Sequence, residues 1–116
     1  MKGLPLVVSS LLLTSPAAMA TVVMEEAWIL NYDTQECFSY SVQVANMSGF
    51  SDSHELIKDN PKMLFMYAYT PDGTYAYSGT CNEKSGTASF AVAGPNPSKV
   101  KSLYNKVVES WQKVTK

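Results

Sequence analysis

The chain has 116 residues, a formal net charge of −1 and no arginine. It therefore lacks both the basic surplus and the forked side chain on which phosphate and guanine recognition rests, which argues against a nucleic-acid partner. Apolar residues make up 46% and charged residues 16%, a balance that excludes a highly charged disordered chain and points to one packed domain.

The first twenty residues, MKGLPLVVSSLLLTSPAAMA, read as a secretory signal. Lys2 supplies the positive start, Leu4 to Leu13 form an apolar run, Pro16 breaks it, and Ala18 and Ala20 occupy the small-residue cleavage positions. The run is too short to span a bilayer as a helix. The expectation is a cleaved segment 1–20 followed by one domain, 21–116, exported to the periplasm or beyond. No cysteine stands directly after Ala20 and no second apolar stretch is long enough to span, so no membrane anchor is expected. Cys37 and Cys81 are the only cysteines, and in an exported chain an even pair predicts a disulfide. A loop of that length stabilises by roughly 4 kcal/mol through chain entropy. The two lie too far apart in sequence for a redox CxxC pair.

Val22 to Tyr32 alternates at Trp28, Leu30 and Tyr32 as a strand, although Val23, Ala27 and Leu30 also suit a helix. Phe38, Tyr40, Val42 and Val44 alternate with polar residues, which predicts a second strand over 37–45, paired with the first across the Asp33–Glu36 turn. Between Gly49 and Pro61, Asp52 and Glu55 have capping-box spacing and predict a short helix. Met63 to Tyr69 is apolar on both faces and reads as a central strand. Thr70-Pro71-Asp72-Gly73 is a strong turn signal, so Thr74 to Cys81 returns antiparallel. A turn over Asn82–Gly86 and a strand over Thr87–Ala93 follow. Asn96-Pro97-Ser98 opens a helix, with Val100, Leu103, Tyr104, Val107, Trp111 and Val114 at helical spacing. The expected fold is α+β: a four- or five-stranded, mainly antiparallel sheet with the C-terminal amphipathic helix on one face.

The PDG hairpin carries the candidate site. A three-residue turn with a bulge at Gly73 would set Tyr69 opposite Tyr75 and Tyr67 opposite Tyr77. Four tyrosines would then line one face of one ribbon, with Ala68, Ala76 and Ser78 on the other, beneath the helix bearing Val107 and Trp111. Such a ladder, with Asp72 at the turn tip, suits contact with a partner protein, because tyrosine brings area at low entropy cost.

Signals for chemistry are sparse. His54 is the only histidine, flanked by Asp52, Ser53 and Glu55, and neighbours so close in sequence do not converge as a triad. A metal site would want more imidazoles or free thiolates, so neither metal nor cofactor is expected. Glu25 and Glu26 would point to opposite faces of a strand and cannot act as a facing carboxylate pair. Asn46-Met47-Ser48 fits the glycosylation pattern. Five lysines against Glu109 from Pro97 onward face an acidic body of nine acids and three lysines over 21–96. The expectation is an exported, non-enzymatic binding protein that restrains another protein, such as a periplasmic inhibitor or immunity protein against a cell-wall-active enzyme or toxin. An envelope accessory protein is the alternative, a small secreted hydrolase a weaker one, and a homodimer stays open.

Overall fold

A computed structural model describes residues 21–57 and 63–115, and of 52–57 the backbone alone. The expected leader, 1–20, and the expected helix end at Pro61 lie outside the described residues. In chain order the elements are β1 (Val22–Ile29), α1 (Thr34–Met47), β2 (Asp52–Ile57), β3 (Met63–Tyr69), β4 (Ala76–Asn82), β5 (Thr87–Gly94) and α2 (Pro97–Val114). The strands form one sheet in the order β1-β5-β4-β3-β2, antiparallel throughout. Both helices pack on the same face, α1 over β3 and β4, α2 over β5 and β1, and against each other. The fold is α+β, with a C-terminal helix and one disulfide, as the sequence predicts.

Residues 37–45 are not a strand. They belong to α1, whose start is capped by Asp33: Oδ1 accepts the Glu36 N–H at 2.8 Å. The buried residues Thr34, Cys37, Ser41, Val44 and Ala45 recur at helical spacing. Three of them are small and polar or sulfur-bearing, so the inward stripe does not read as hydrophobic. The alternating Phe38, Tyr40 and Val42 are only half buried. β1 is a strand, as preferred, but it pairs with β5, Val22 opposite Gly94 and Ile29 opposite Thr87. The expected helix after Gly49 is instead β2, where the Asp52–Glu55 spacing falls within a strand. α2 follows the sequence reading closely. Asn96 Oδ1 accepts the Lys99 N–H at 3.0 Å, Pro97 occupies the first turn, and Val100, Leu103, Val107 and Trp111 face the core.

The core is dense where α1 meets β4. Cys37 and Cys81 are bridged, with Cα atoms 6.0 Å apart, which ties the helix to the sheet. Two residues along β4, Gly79 lets the helix descend: a side-chain carbon there would collide with the Ser41 hydroxyl oxygen. Gly94 plays the same part at the end of β5, where the ring of Tyr75 lies in the space of the missing side chain.

Candidate functional site

The hairpin turn is one residue longer than expected. Thr70 N–H donates to the Tyr75 carbonyl at 3.0 Å, and Tyr75 N–H donates to Thr70 Oγ1 at 3.1 Å. Pro71 to Thr74 therefore form the loop, and Tyr69 pairs with Ala76, Ala68 with Tyr77 and Tyr67 with Ser78. A one-residue change of register moves every side chain of one strand to the other face. The four-tyrosine ladder is thus a pair, Tyr67 and Tyr69, with ring centroids 5.9 Å apart on the face without helices. Ala76 and Ser78 share that face, and Ala68 lies beneath α1, not under the helix that bears Val107 and Trp111.

Tyr77 is fully buried and cannot present its ring to a partner. Its ring packs between a tilted Phe50 and a stacked Phe90, and its hydroxyl lies 2.8 Å from Ser41 Oγ. Burial raises the phenol above the ordinary tyrosine range, against the opposing hydrogen bond from Ser41. The Trp111 indole N–H is turned toward the same hydroxyl without completing a hydrogen bond, and it has no other acceptor among the described residues.

Asp72 works inside its own turn. Its Oδ1 accepts the Thr74 N–H at 3.0 Å and the Thr70 hydroxyl at 2.8 Å, and these bonds, the backbone one first, lower its carboxyl below the ordinary range. Asp72 and the half-buried Tyr75 meet in a cleft of about 400 Å³, shared with Lys99, Leu103 and Lys106 of α2. The structure brings these two predicted residues together, and Tyr67 with Tyr69, on separate surfaces.

A second cleft, of about 240 Å³, was not anticipated from the sequence. It lies between β1 and the end of α2, lined by Glu26, Trp28, Tyr32, Phe90, Trp111 and Thr115 among others. Its walls are held by ring contacts: Trp28 meets Trp111 edge-on at 4.9 Å, and Trp28 Nε1–H donates to the Tyr32 hydroxyl at 3.3 Å. Burial raises the Tyr32 phenol as well. Glu26 stands beside the Tyr104 hydroxyl. The signal that could have found this cleft was the isolated Trp28–Tyr32 spacing, which needs α2 overhead to acquire meaning.

Of the residues weighed for chemistry, His54 stands opposite Tyr67 and Asp52 opposite Tyr69 in the β2–β3 ladder. Glu25 and Glu26 occupy adjacent β1 positions opposite Ala91 and Phe90, and so belong to opposite faces. Among the described residues, no three His, Cys, Asp or Glu side chains gather where they could hold a metal ion. No described helix is long and apolar enough to cross a membrane. A small disulfide-bonded domain of this kind is compatible with an extracellular location.

In comparison with known proteins, the chain matches no family model, no curated protein and no solved structure.

Proposed function

We propose that this chain is an exported, non-enzymatic binding protein that engages and restrains another protein. In this reading it works in the periplasm or outside the cell, as an inhibitor or immunity protein against a cell-wall-active enzyme or toxin. The observation that carries the reading is the asymmetry of the sheet. Both helices cover one face, and of the four large hydrophobic residues that stand exposed among those described, Val23, Ile29 and Tyr67 lie on the other. A rigid sheet face that no helix covers, with apolar side chains set among polar ones, offers contact area to a macromolecule.

The test is affinity capture with the exported, oxidised protein against envelope and culture extracts of its own source, followed by activity assay of whatever binds. The expected result is a stoichiometric cell-wall hydrolase or toxin that loses activity as the protein is added. Replacing Tyr67 and Val23 with serine weakens that complex at least about tenfold, the size expected when anchors of this kind are truncated. A folded double variant with unchanged affinity removes the open face from the reading. An enzyme activity found in the protein itself, abolished by changing Asp52 or His54, overturns it.

A further inference from the structure

We infer that the outer edge of β1 accepts an extended, basic segment of the partner as a sixth strand, an inference that rests on the binding function proposed above. β1 has one neighbour among the described residues. The ladder shows which of its backbone groups are left over. In an antiparallel pair, alternate residues direct both N–H and C=O to the same neighbour. Leu30 N–H donates to the Gly86 carbonyl at 2.8 Å, in phase with the pairs Trp28–Ala88 and Glu26–Phe90. Val22, Met24, Glu26 and Trp28 therefore bond to β5. The N–H and C=O groups of Val23, Glu25, Ala27 and Ile29 face the open side, and all four of these residues are exposed.

Charge decides what can pair there. Glu25 and Glu26 sit at the centre of the strand, and neither has a cationic partner among the described residues. A second copy of β1 is a poor occupant. The two-fold antiparallel pairings with the longest overlap that also match the free backbone groups are centred on Glu25 or on Glu26. Each sets one carboxylate opposite its own copy, which is destabilising across a ladder. A lysine or arginine opposite those positions converts the repulsion into attraction.

The cleft selects the neighbouring side chain. Glu26, Ala27 and Trp28 are consecutive in β1 and all line the aromatic cleft, so the cleft borders the middle of this strand. Residues of an added strand opposite Glu26 and Trp28 would project to the helix-covered face, toward Tyr32 and Trp111. The segment that fits is extended and free of proline, with a basic residue at its centre and a large apolar residue beside it. Backbone bonds supply affinity and the alternate side chains supply selectivity.

The experiment uses two end-blocked peptides matched in length to β1, with a common valine and leucine framework and either Lys-Lys or Glu-Glu at the centre. Binding to the oxidised protein is read by amide hydrogen exchange and tryptophan fluorescence. The Lys-Lys peptide is expected to slow exchange at Val23, Glu25, Ala27 and Ile29, to shift the Trp28 and Trp111 emission, and to bind roughly tenfold more tightly than the Glu-Glu peptide. Glu25→Lys removes that preference. Ala27→Pro deletes an edge N–H without touching a bond to β5, and abolishes the protection; should that variant fail to fold, the Glu25→Lys result decides.

Equal affinity for both peptides, protection confined to other strands, or no binding by either peptide overturns the inference. A captured partner that binds wild type and Glu25→Lys equally also overturns it, and leaves the binding function standing. An inhibitor role that fails in the capture assay removes the function instead.

Discussion

The Tyr77 hydroxyl is a buried polar group whose satisfaction depends on one neighbour, Ser41, in a helix thirty-six residues earlier. Such a group is cheap while neutral and bonded, and very costly when ionised. Because burial raises its pKa in the folded state, it contributes stability that is complete below the unfolded value of 10.0 and is lost as pH rises above it, when the unfolded chain can ionise and the folded chain cannot. Tyr32, shifted the same way, adds to the effect. Denaturant titrations from pH 7 to 11.5 are therefore expected to show stability falling above pH 10, with a shallower fall in Tyr77→Phe. At pH 7 the same variant loses about 1–2 kcal/mol, because Ser41 keeps a buried hydroxyl without its partner. An identical alkaline slope in the variant would assign the sensitivity to other groups.

At the scale of elements, the packing of α1 on β4 is set by what is missing from the strand. A methyl group at Gly79 would overlap the Ser41 oxygen and lie 3.0 Å from the Tyr77 hydroxyl. Gly79→Ala is expected to destabilise by about 1–3 kcal/mol, the range for forcing extra volume into a tight core. In a Ser41→Ala background the added loss is smaller, a coupling that thermal melts of the four variants would measure. The same contact explains what could and could not be read from the chain. α2 was legible because its buried stripe is apolar and its start carries Asn96 and Pro97. α1 was not, because three of its five inward residues, Thr34, Cys37 and Ser41, are polar or sulfur-bearing, while its half-buried apolar residues happened to alternate. β3 and β4 were legible as a hairpin, and their register was not. Thr70 and Tyr75 close the turn through hydrogen bonds whose choice over a tighter turn is not encoded in the PDG motif. That single residue decided which tyrosines share the open face: the sequence reading placed Tyr67 and Tyr69 there correctly, and Tyr75 and Tyr77 wrongly. The aromatic cleft combines Trp28 and Tyr32 with Trp111, and only the tertiary fold brings those distant segments together.

For the molecule as a whole, the disulfide is the one covalent cross-link between the helical layer and the sheet. It joins α1 to β4 across a sequence separation of 44 residues, which enclose β2 and β3. Replacing both cysteines with serine is expected to cost about 2–5 kcal/mol and to lower the melting temperature by at least about 10 °C, while leaving α2 and the β1–β5 pair in place. Calorimetry of the reduced wild type alongside the variant would check it. A loss below about 1 kcal/mol would mean that the Ser41–Tyr77 contact and the surrounding core hold α1 without help.

Sheet order also governs what the nascent chain must survive. Of the described strands β1 is made first, yet its one described neighbour, β5, is made last, so Val22 to Ile29 waits for almost the whole domain before that neighbour exists. A strand reading VVMEEAWI would be an adhesive segment during that delay if its middle were apolar. The two adjacent glutamates act as gatekeepers while the chain is unfinished, keeping one unfolded copy from zipping to the next until β5 arrives.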